Sequence, residues 1–452
     1  MPDAVDAVLE AVVTRVEPDA DERAAMASAV EALLERTQSA IEERDLEADV
    51  LHVGSTARDT WLSDERDIDV FVRFPPTVDR DELTDRGLAV GRAVLPDGEA
   101  AYAEHPYVTG EYEGFDVDVV PCVHVEDATA AQTAVDRTPF HNAYVREHLD
   151  DDLARGVRLA KGFLRGFGAY GSDLKTRGFG GYLVELLVLE HGGVRGLFEA
   201  AAAWRPPVRY DPADHGTRAF DDPLVVVDPT DPERNVAAVV SRTNVSRLQH
   251  HARAFLADPA VEAFEVPVVE PIDPEALRAH LERRDTHPLA VAFDRPDLLD
   301  DQLYPQLRRT REGLVGTLER AGFDVLRSAV LADDARAVVL LEAEVAERAA
   351  VERHAGPPVD IGAHADRFLE RYRDDETVYG PFVDGERYVV ERDREFTRPE
   401  ALLAPETIGE AAHGQRVGEA LAAGFDLLVG DELAALLPRF GADLAAYFDP
   451  QP

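Results

Sequence analysis

Cysteine is almost missing: Cys122 stands alone in 452 residues, so no disulfide can close within the chain and no cysteine-built zinc site is available. Lysine is nearly as rare. Only Lys161 and Lys175 occur among the 47 basic residues, and all the others are arginine. No apolar run reaches the roughly 18 residues a membrane-spanning helix needs, so no membrane span is expected. The N-terminal stretch MPDAVDAVLEAVVTRVEPDADE is acidic and helical in pattern, without a basic leader or cleavage site, and a cytoplasmic location is the expectation. Internal repeats and low-complexity tracts are absent as well.

What the chain has in excess is acid. Asp and Glu number 89, the formal charge is -42, and the acids are spread along the whole length rather than gathered in a tail. A dispersed acidic surface with lysine all but eliminated reads as adaptation to a salt-rich cytoplasm, where carboxylates favour hydration and solubility. Such a charge ordinarily argues against nucleic acid as partner. In molar salt, however, the screening length falls to roughly 3 Å, and counterion release contributes little. An RNA partner would then be held by close hydrogen bonds, stacking and shape, so the net charge is no veto.

At this length several domains are expected, and a hydrophobic fraction of 45% is ample for their cores. Two helices fill residues 1–45. A strand at 48–53 enters a turn at Gly54-Ser55, and a helix or turn follows through Leu62. Asp67–Phe74 is a clear strand stopped by Pro75-Pro76. A helix near 80–94 and strands near 99–105, 108–112 and 115–120 complete an α+β region with a short mixed sheet. Residues 138–255 are mainly helical, with proline-rich loops at 204–223 and 228–232. Beyond 266, strand-like and helical pieces alternate to the C-terminus.

The sharpest signal lies in the first region. Gly54-Ser55 is separated by eleven residues from Asp67-Ile68-Asp69. Residues i and i+2 of a strand share a face, so Asp67 and Asp69 project together while Ile68 enters the core. Adjacent anions on one face are costly unless a cation sits between them, and an all-oxygen donor set suits magnesium. A third carboxylate, Asp118, with Asp116 on the same strand face, can complete a two-metal site of the kind that activates a hydroxyl and stabilises a leaving phosphate. Gly54 allows a phosphate close to the backbone. The Ser55 hydroxyl, the following helix N-terminus and Arg58, one turn in, can bind a triphosphate. Gly178-Phe179-Gly180-Gly181 follows no strand of a βαβ unit, so a dinucleotide fold is not indicated.

The run GSTARDTWLSDERDIDVFVRF resembles the signature of nucleotidyltransferases of the DNA polymerase beta superfamily. More narrowly it resembles the archaeal, class I CCA-adding tRNA nucleotidyltransferases, and that likeness recurs in YAEHPYVTG, DVDVVPC, TAVDRTPFH, RLAKGFLRGFGAYGSDLKTRGFGGYLVELL, DPTDPERNVAA, DDQLYPQL and ETVYGPFV. The resemblance implies an α+β multidomain fold: a polymerase-beta-like catalytic domain (1–137), a helical central domain (138–262), and a body domain (263–302 and 380–452) interrupted by a tail domain (303–379). It also implies addition of C, C and A to the tRNA 3′ end from CTP and ATP without a template, and it suggests a homodimer. A poly(A) polymerase or another member of the superfamily is the alternative.

Position by position, the resemblance makes Asp67, Asp69 and Asp118 the metal-binding acids. Relatives often have Glu at Asp67 and another residue at Asp116. Ser55, Arg58, His141, Lys161 and Tyr170 match contacts to the nucleotide phosphates. Thr138 lies in the same stretch beside sugar and phosphates, Arg234 matches an arginine that reads the incoming base, and His105 lies near the base pocket. Taken on their own, several of these residues stay ambiguous. Lys161 is a compact charge suited to a phosphate cluster, or a chance survivor on a helix. His141 beside Pro139 can be a structural cap, Tyr170 a buried structural tyrosine, and Arg234 a surface arginine. Arg308, Arg309 and Arg311, the densest basic cluster near the C-terminal half, are either an RNA-backbone contact or a solvated helix face.

Overall fold

Strands in this chain are written by alternation and by runs of β-branched residues, and helix starts by acidic caps. In the computed structural model, which describes residues 3–63, 65–102 and 105–452, these signals resolve into two compact units. One runs to Pro267 and takes in Pro452; the other is Val268–Gln451.

The first unit opens with helices α1 (Ala4–Val16) and α2 (Ala20–Glu42). Asp19 caps α2 by accepting from the Asp21 and Glu22 amides, while Glu22 reaches back to the Asp19 amide at 2.8 Å, which satisfies donors a helix start leaves open. Then come β1 (Asp49–Val53), the single turn α3 (Gly54–Ala57), β2 (Asp67–Phe74), α4 (Arg80–Val94), β3 (Glu99–Tyr102), β4 (Pro106–Tyr112) and β5 (Phe115–Val123). The five strands form one sheet in the order β1-β2-β5-β4-β3. β2 and β5 are parallel and the other pairs antiparallel, so the sheet is mixed as expected. A tight turn with Glu113 and Gly114 both at positive φ joins β4 to β5, the geometry that suits the twist of a hairpin. Ile68, Val70, Val72, Val117 and Val119 point into a core against α2 and α4.

Helices α5 (Ala134–His148), α6 (Asp151–Gly166), α7 (Gly181–Glu190), α8 (Val194–Ala203) and α9 (Arg242–Ala257) complete the unit, with a small sheet of β6 (Val208–Tyr210), β7 (Leu224–Asp228) and β8 (Asp231–Asn235). The last two strands correct the expectation of a proline-rich loop at 228–232. Leu224-Val225-Val226-Val227 is fully buried, and Asp228 to Asp231 is the turn of a hairpin rather than a linker. Burying four such side chains stabilises by roughly 1.5–3 kcal/mol each, which outweighs the proline at 232.

The second unit holds α10 (Pro274–Arg284), β9 (His287–Asp294), α11 (Asp300–Arg320), β10 (Val325–Ala332), β11 (Arg336–Ala343), β12 (Val351–Pro358), α12 (Gly362–Tyr372), β13 (Val378–Asp384), β14 (Arg387–Asp393), α13 (Gln415–Ala423), β15 (Asp426–Val429) and α14 (Leu437–Phe448). Its strands fall into two sheets. β10 and β11, inside the expected tail 303–379, pair with β9 and β15 of the expected body in the order β10-β11-β9-β15. β13 and β14, mostly past residue 380, pair instead with β12. The strands between residues 351 and 393 thus pair only among themselves. Arg308, Arg309 and Arg311 lie on α11, whose Leu303, Leu307, Leu314 and Leu318 face the core of the larger sheet.

Candidate active site

The parallel pairing of β2 with β5 is what assembles the acids. Its register sets Asp67 opposite Asp116 and Asp69 opposite Asp118. Four carboxylates thus stand on one face at the same end of two neighbouring strands. Asp69 is the most enclosed of them. Burial, then the Asp118 and Asp67 charges, push its carboxyl up to about 6, with Arg58 opposing. Asp67 and Asp118 are also raised, chiefly by burial, while a hydrogen bond from Thr109 on β4 holds Asp118 back. Asp116 is exposed.

Gly54 is the counterpart of this face. Its φ is +82°, and a Cβ built on it would lie 2.1 Å from an Asp69 carboxylate oxygen, so no other residue fits there. The turn that carries Ser55 therefore starts directly against Asp69. It is one turn long, shorter than the helix expected, and Arg58 ends it rather than lying within it. Among the described residues no three Asp, Glu, His or Cys side chains already converge as a metal shell. Crowded anions with raised affinity for protons and an all-oxygen donor set nonetheless fit hard divalent cations, which would relieve the repulsion.

The other expected residues fall into two clusters within the same unit. Around Arg58 runs a buried polar network. Arg58 Nε donates to Glu185 Oε1 at 3.0 Å and its Nη1 to Asn142 at 3.2 Å, and the Thr60 hydroxyl donates to the same Glu185 oxygen at 2.6 Å. The Glu185 side chain has no exposure. Lys161, 1% exposed, donates to the Thr60 carbonyl at 2.7 Å and lies 3.8 Å from Glu65. Burial pulls its ammonium below the usual lysine range, although Glu65 and Glu185 counter this. Tyr170 donates to Glu65 at 3.3 Å, and Arg165 pairs with the same carboxylate at 3.1 Å. Burial raises the Tyr170 hydroxyl. Lys161 and Tyr170 thus join α6 and the following turn to the loop before β2.

The second cluster centres on Asp228. His141 donates to it at 2.8 Å, stacks on Tyr182 at a centroid distance of 4.2 Å, and lies one turn after the half-buried Thr138 on α5. Arg234 donates to Asp228 at 2.6 Å and lines a cavity of about 1030 Å³ with Arg137, Arg218 and Phe220. Burial works against the Asp228 anion, but the hydrogen bond and charge of His141, the Thr230 amide and Arg234 hold it well below the usual carboxylate range. His105 stands apart from both clusters. It is 4% exposed and its Nε2 bonds the Pro121 carbonyl at the far end of β5. A cavity of about 860 Å³ lies at the opposite end of β2 from the acids, beside Arg73, Phe74 and His124.

Three families match the chain in series: a nucleotidyltransferase domain over residues 34–141, the second domain of tRNA nucleotidyltransferase over 155–265, and the C-terminal domain of CCA-adding enzyme over 284–430. The CCA-adding enzyme of Haloarcula marismortui is 53% identical across 100% of both chains. The chain belongs to the CCA-adding enzymes. Its activity is that of a tRNA nucleotidyltransferase, and the poly(A) polymerase alternative does not describe the whole chain. The CCA-adding enzyme of Halobacterium salinarum is 56% identical over 98% of this chain and 99% of its own, and that of Methanosarcina acetivorans 38% over 94% of each. The two halophilic relatives agree with the acidic composition. A solved structure of CdnC from E. coli MS115-1 with ATP aligns over 57% of this chain and 94% of that one, at 17% identity and a TM-score of 0.44. No described helix is long and apolar enough to cross a membrane.

Sequence reasoning missed Asp228, Glu185, Glu65 and Tyr182. Glu185 was signalled, as a lone acid inside the apolar run YLVELLVL. Such an acid either faces water or holds a buried partner, and here it does the second. Asp228 carries no comparable local mark.

Proposed function

We propose that the acid face of β2 and β5 is the transfer site at which C, C and A are joined to the tRNA 3′ end. The observation that carries this reading is the parallel register that sets Asp69 beside Asp118, with the Gly54-Ser55 turn against Asp69. The tRNA 3′ hydroxyl attacks the α-phosphorus of CTP or ATP, a new P–O bond forms, the bond to the β-phosphate breaks, and pyrophosphate leaves. Asp67, Asp69 and Asp118 would hold a pair of hard divalent cations, magnesium by preference, which when bound supply Lewis-acid activation and charge neutralisation.

The chain's own residues do the positioning. Ser55 and the backbone at Gly54 approach the triphosphate, and Arg58 is held in one orientation by Glu185. His141, Thr138, Lys161 and Tyr170 complete the phosphate and sugar contacts, and Arg234 and His105 serve the base. Arg58 and Lys161 are enclosed, so their phosphate contacts require small rearrangements of the network around Glu65 and Glu185. The enzyme works in the cytoplasm, on tRNA with both nucleotides, as a homodimer. In the second unit the body is interrupted by the tail at about 351–393.

The test is incorporation of labelled CTP and ATP into tRNA lacking its CCA end, with magnesium, across a salt series. Three additions in the order C, C, A, dependent on magnesium, are expected. Long tails from ATP alone would overturn the reading in favour of poly(A)-type synthesis. Sedimentation at working salt checks the dimer.

A further inference from the structure

Four separate elements meet on one carboxylate. Asp228 ends β7, and its side chain has no exposure. Its Oδ2 accepts from His141 Nε2 of α5 at 2.8 Å and from Arg234 Nη1 of β8 at 2.6 Å. Its Oδ1 accepts from the Thr230 amide at 2.9 Å, the Thr230 hydroxyl at 2.8 Å and the Tyr182 hydroxyl of α7 at 3.2 Å. A buried anion is expensive unless donors replace its water, and here five do.

A carboxylate so occupied has no lone pair left for a metal or a proton, which removes it from the chemistry. What it retains is direction. The donors divide by oxygen: those on Oδ1 belong to the turn and to α7, while both donors on Oδ2 are residues read above as nucleotide contacts. Arg234 keeps 34% of its side chain exposed, towards the cavity it lines with Arg137, Arg218 and Phe220. The Tyr182 ring, stacked on His141 and tied to Oδ1, prevents that imidazole from turning away.

We propose that Asp228 is a positioning residue that fixes His141 and Arg234 on a single oxygen, so that the phosphate contact and the reading of the base are set as one unit. The proposal rests on the nucleotide-contact reading of His141 and Arg234. Without the anion, Arg234 is free to swing and can satisfy the edges of bases other than cytosine and adenine.

Asp228→Asn replaces an oxygen by an amide whose two hydrogens oppose donors already present. It is expected to lower kcat/KM for CTP and ATP by about 10- to 100-fold, as loss of an orienting partner does, and to narrow the preference for them over UTP and GTP. Thr230→Val, which touches Oδ1 alone, lowers the melting temperature but leaves that preference unchanged. Arg234→Ala combined with Asp228→Asn loses no more preference than Arg234→Ala by itself. Should Asp228→Asn fail to fold, Asp228→Glu keeps the anion, displaces its oxygens by one methylene, and is read the same way. A folded Asp228 variant that keeps full nucleotide preference, while Arg234→Ala loses it, overturns the positioning role. If Arg234→Ala and His141→Ala both keep the preference and the nucleotide KM, the underlying reading fails and takes the proposal with it.

Discussion

Two groups of carboxylates in the first unit have been treated in opposite ways. Asp228 is fully buried and saturated with donors, and its acidity is strengthened despite the burial. Asp67, Asp69 and Asp118 are crowded against one another with little positive charge nearby, and all three hold protons more tightly than usual. The first arrangement is complete in the protein alone. The second leaves its anions crowded, with no comparable set of donors from the protein. A satisfied buried acid is a device for holding other groups, whereas a set of strained acids on one strand face leaves room for something the chain does not itself provide.

The comparison breaks most visibly at Asp69. Asp69→Ala is expected to cut both C and A addition by roughly three orders of magnitude or more, because metal-based charge stabilisation is worth several kcal/mol, while tRNA affinity by filter binding stays near the parent value. Near-normal incorporation by that variant with magnesium would remove the metal assignment. Next comes Glu185→Ala, which strands Arg58 in a buried site. A loss of about 3–5 kcal/mol in urea unfolding is expected, and a loss under 1 kcal/mol would mean that the network is solvated in practice.

A smaller effect has the opposite sign. The Asp69 pKa rises on folding to about 6, so its charged form is less favourable in the native state than in the unfolded chain. The metal-free protein should therefore lose stability as pH rises from about 4 through 6. Asp69→Asn removes the largest share of that dependence, leaving the smaller contributions of Asp67 and Asp118, and should stabilise the metal-free protein at pH 7 by roughly 1–3 kcal/mol. Chelated samples compared by thermal unfolding at pH 5 and pH 7 check this; an Asn variant less stable than its parent at pH 7 would contradict it. The smallest change is at Asp116, which shares the acid face but lies opposite Asp67 rather than Asp69, the acid that meets the Gly54 turn. Asp116→Asn should alter incorporation by less than about threefold, the effect of a surface substitution of about 0.5 kcal/mol. A loss as deep as that of Asp69→Ala would place Asp116 among the metal ligands.

Much of the acid face was legible before folding. Alternation in Asp67-Ile68-Asp69-Val70 and Asp116-Val117-Asp118-Val119 dictates which side chains share a face, since strand geometry has a period of two. The β7–β8 hairpin was hidden by its Pro229 and Pro232, although the run Leu224–Val227 carried the information that this strand is buried. The strand partners in the second unit stayed hidden for a different reason. Four-residue and eight-residue strands of similar composition do not reveal their partners, and β10 and β11 join β9 across α11.

Residue chemistry, the two aspartate pairs, the Gly54-Ser55 turn and the family were thus determined by the sequence itself, because each depends on local spacing or on matching runs of residues. Tertiary structure alone decided that β2 and β5 lie parallel and in register, that Arg58 and Lys161 are drawn into a buried network with Glu185 and Glu65, and that Asp228 gathers His141, Tyr182 and Arg234. Those contacts join residues 46 to 127 positions apart, except for the six between Asp228 and Arg234. Over such separations pairing depends on which surfaces bury together and which charges find donors there, and no local pattern records it.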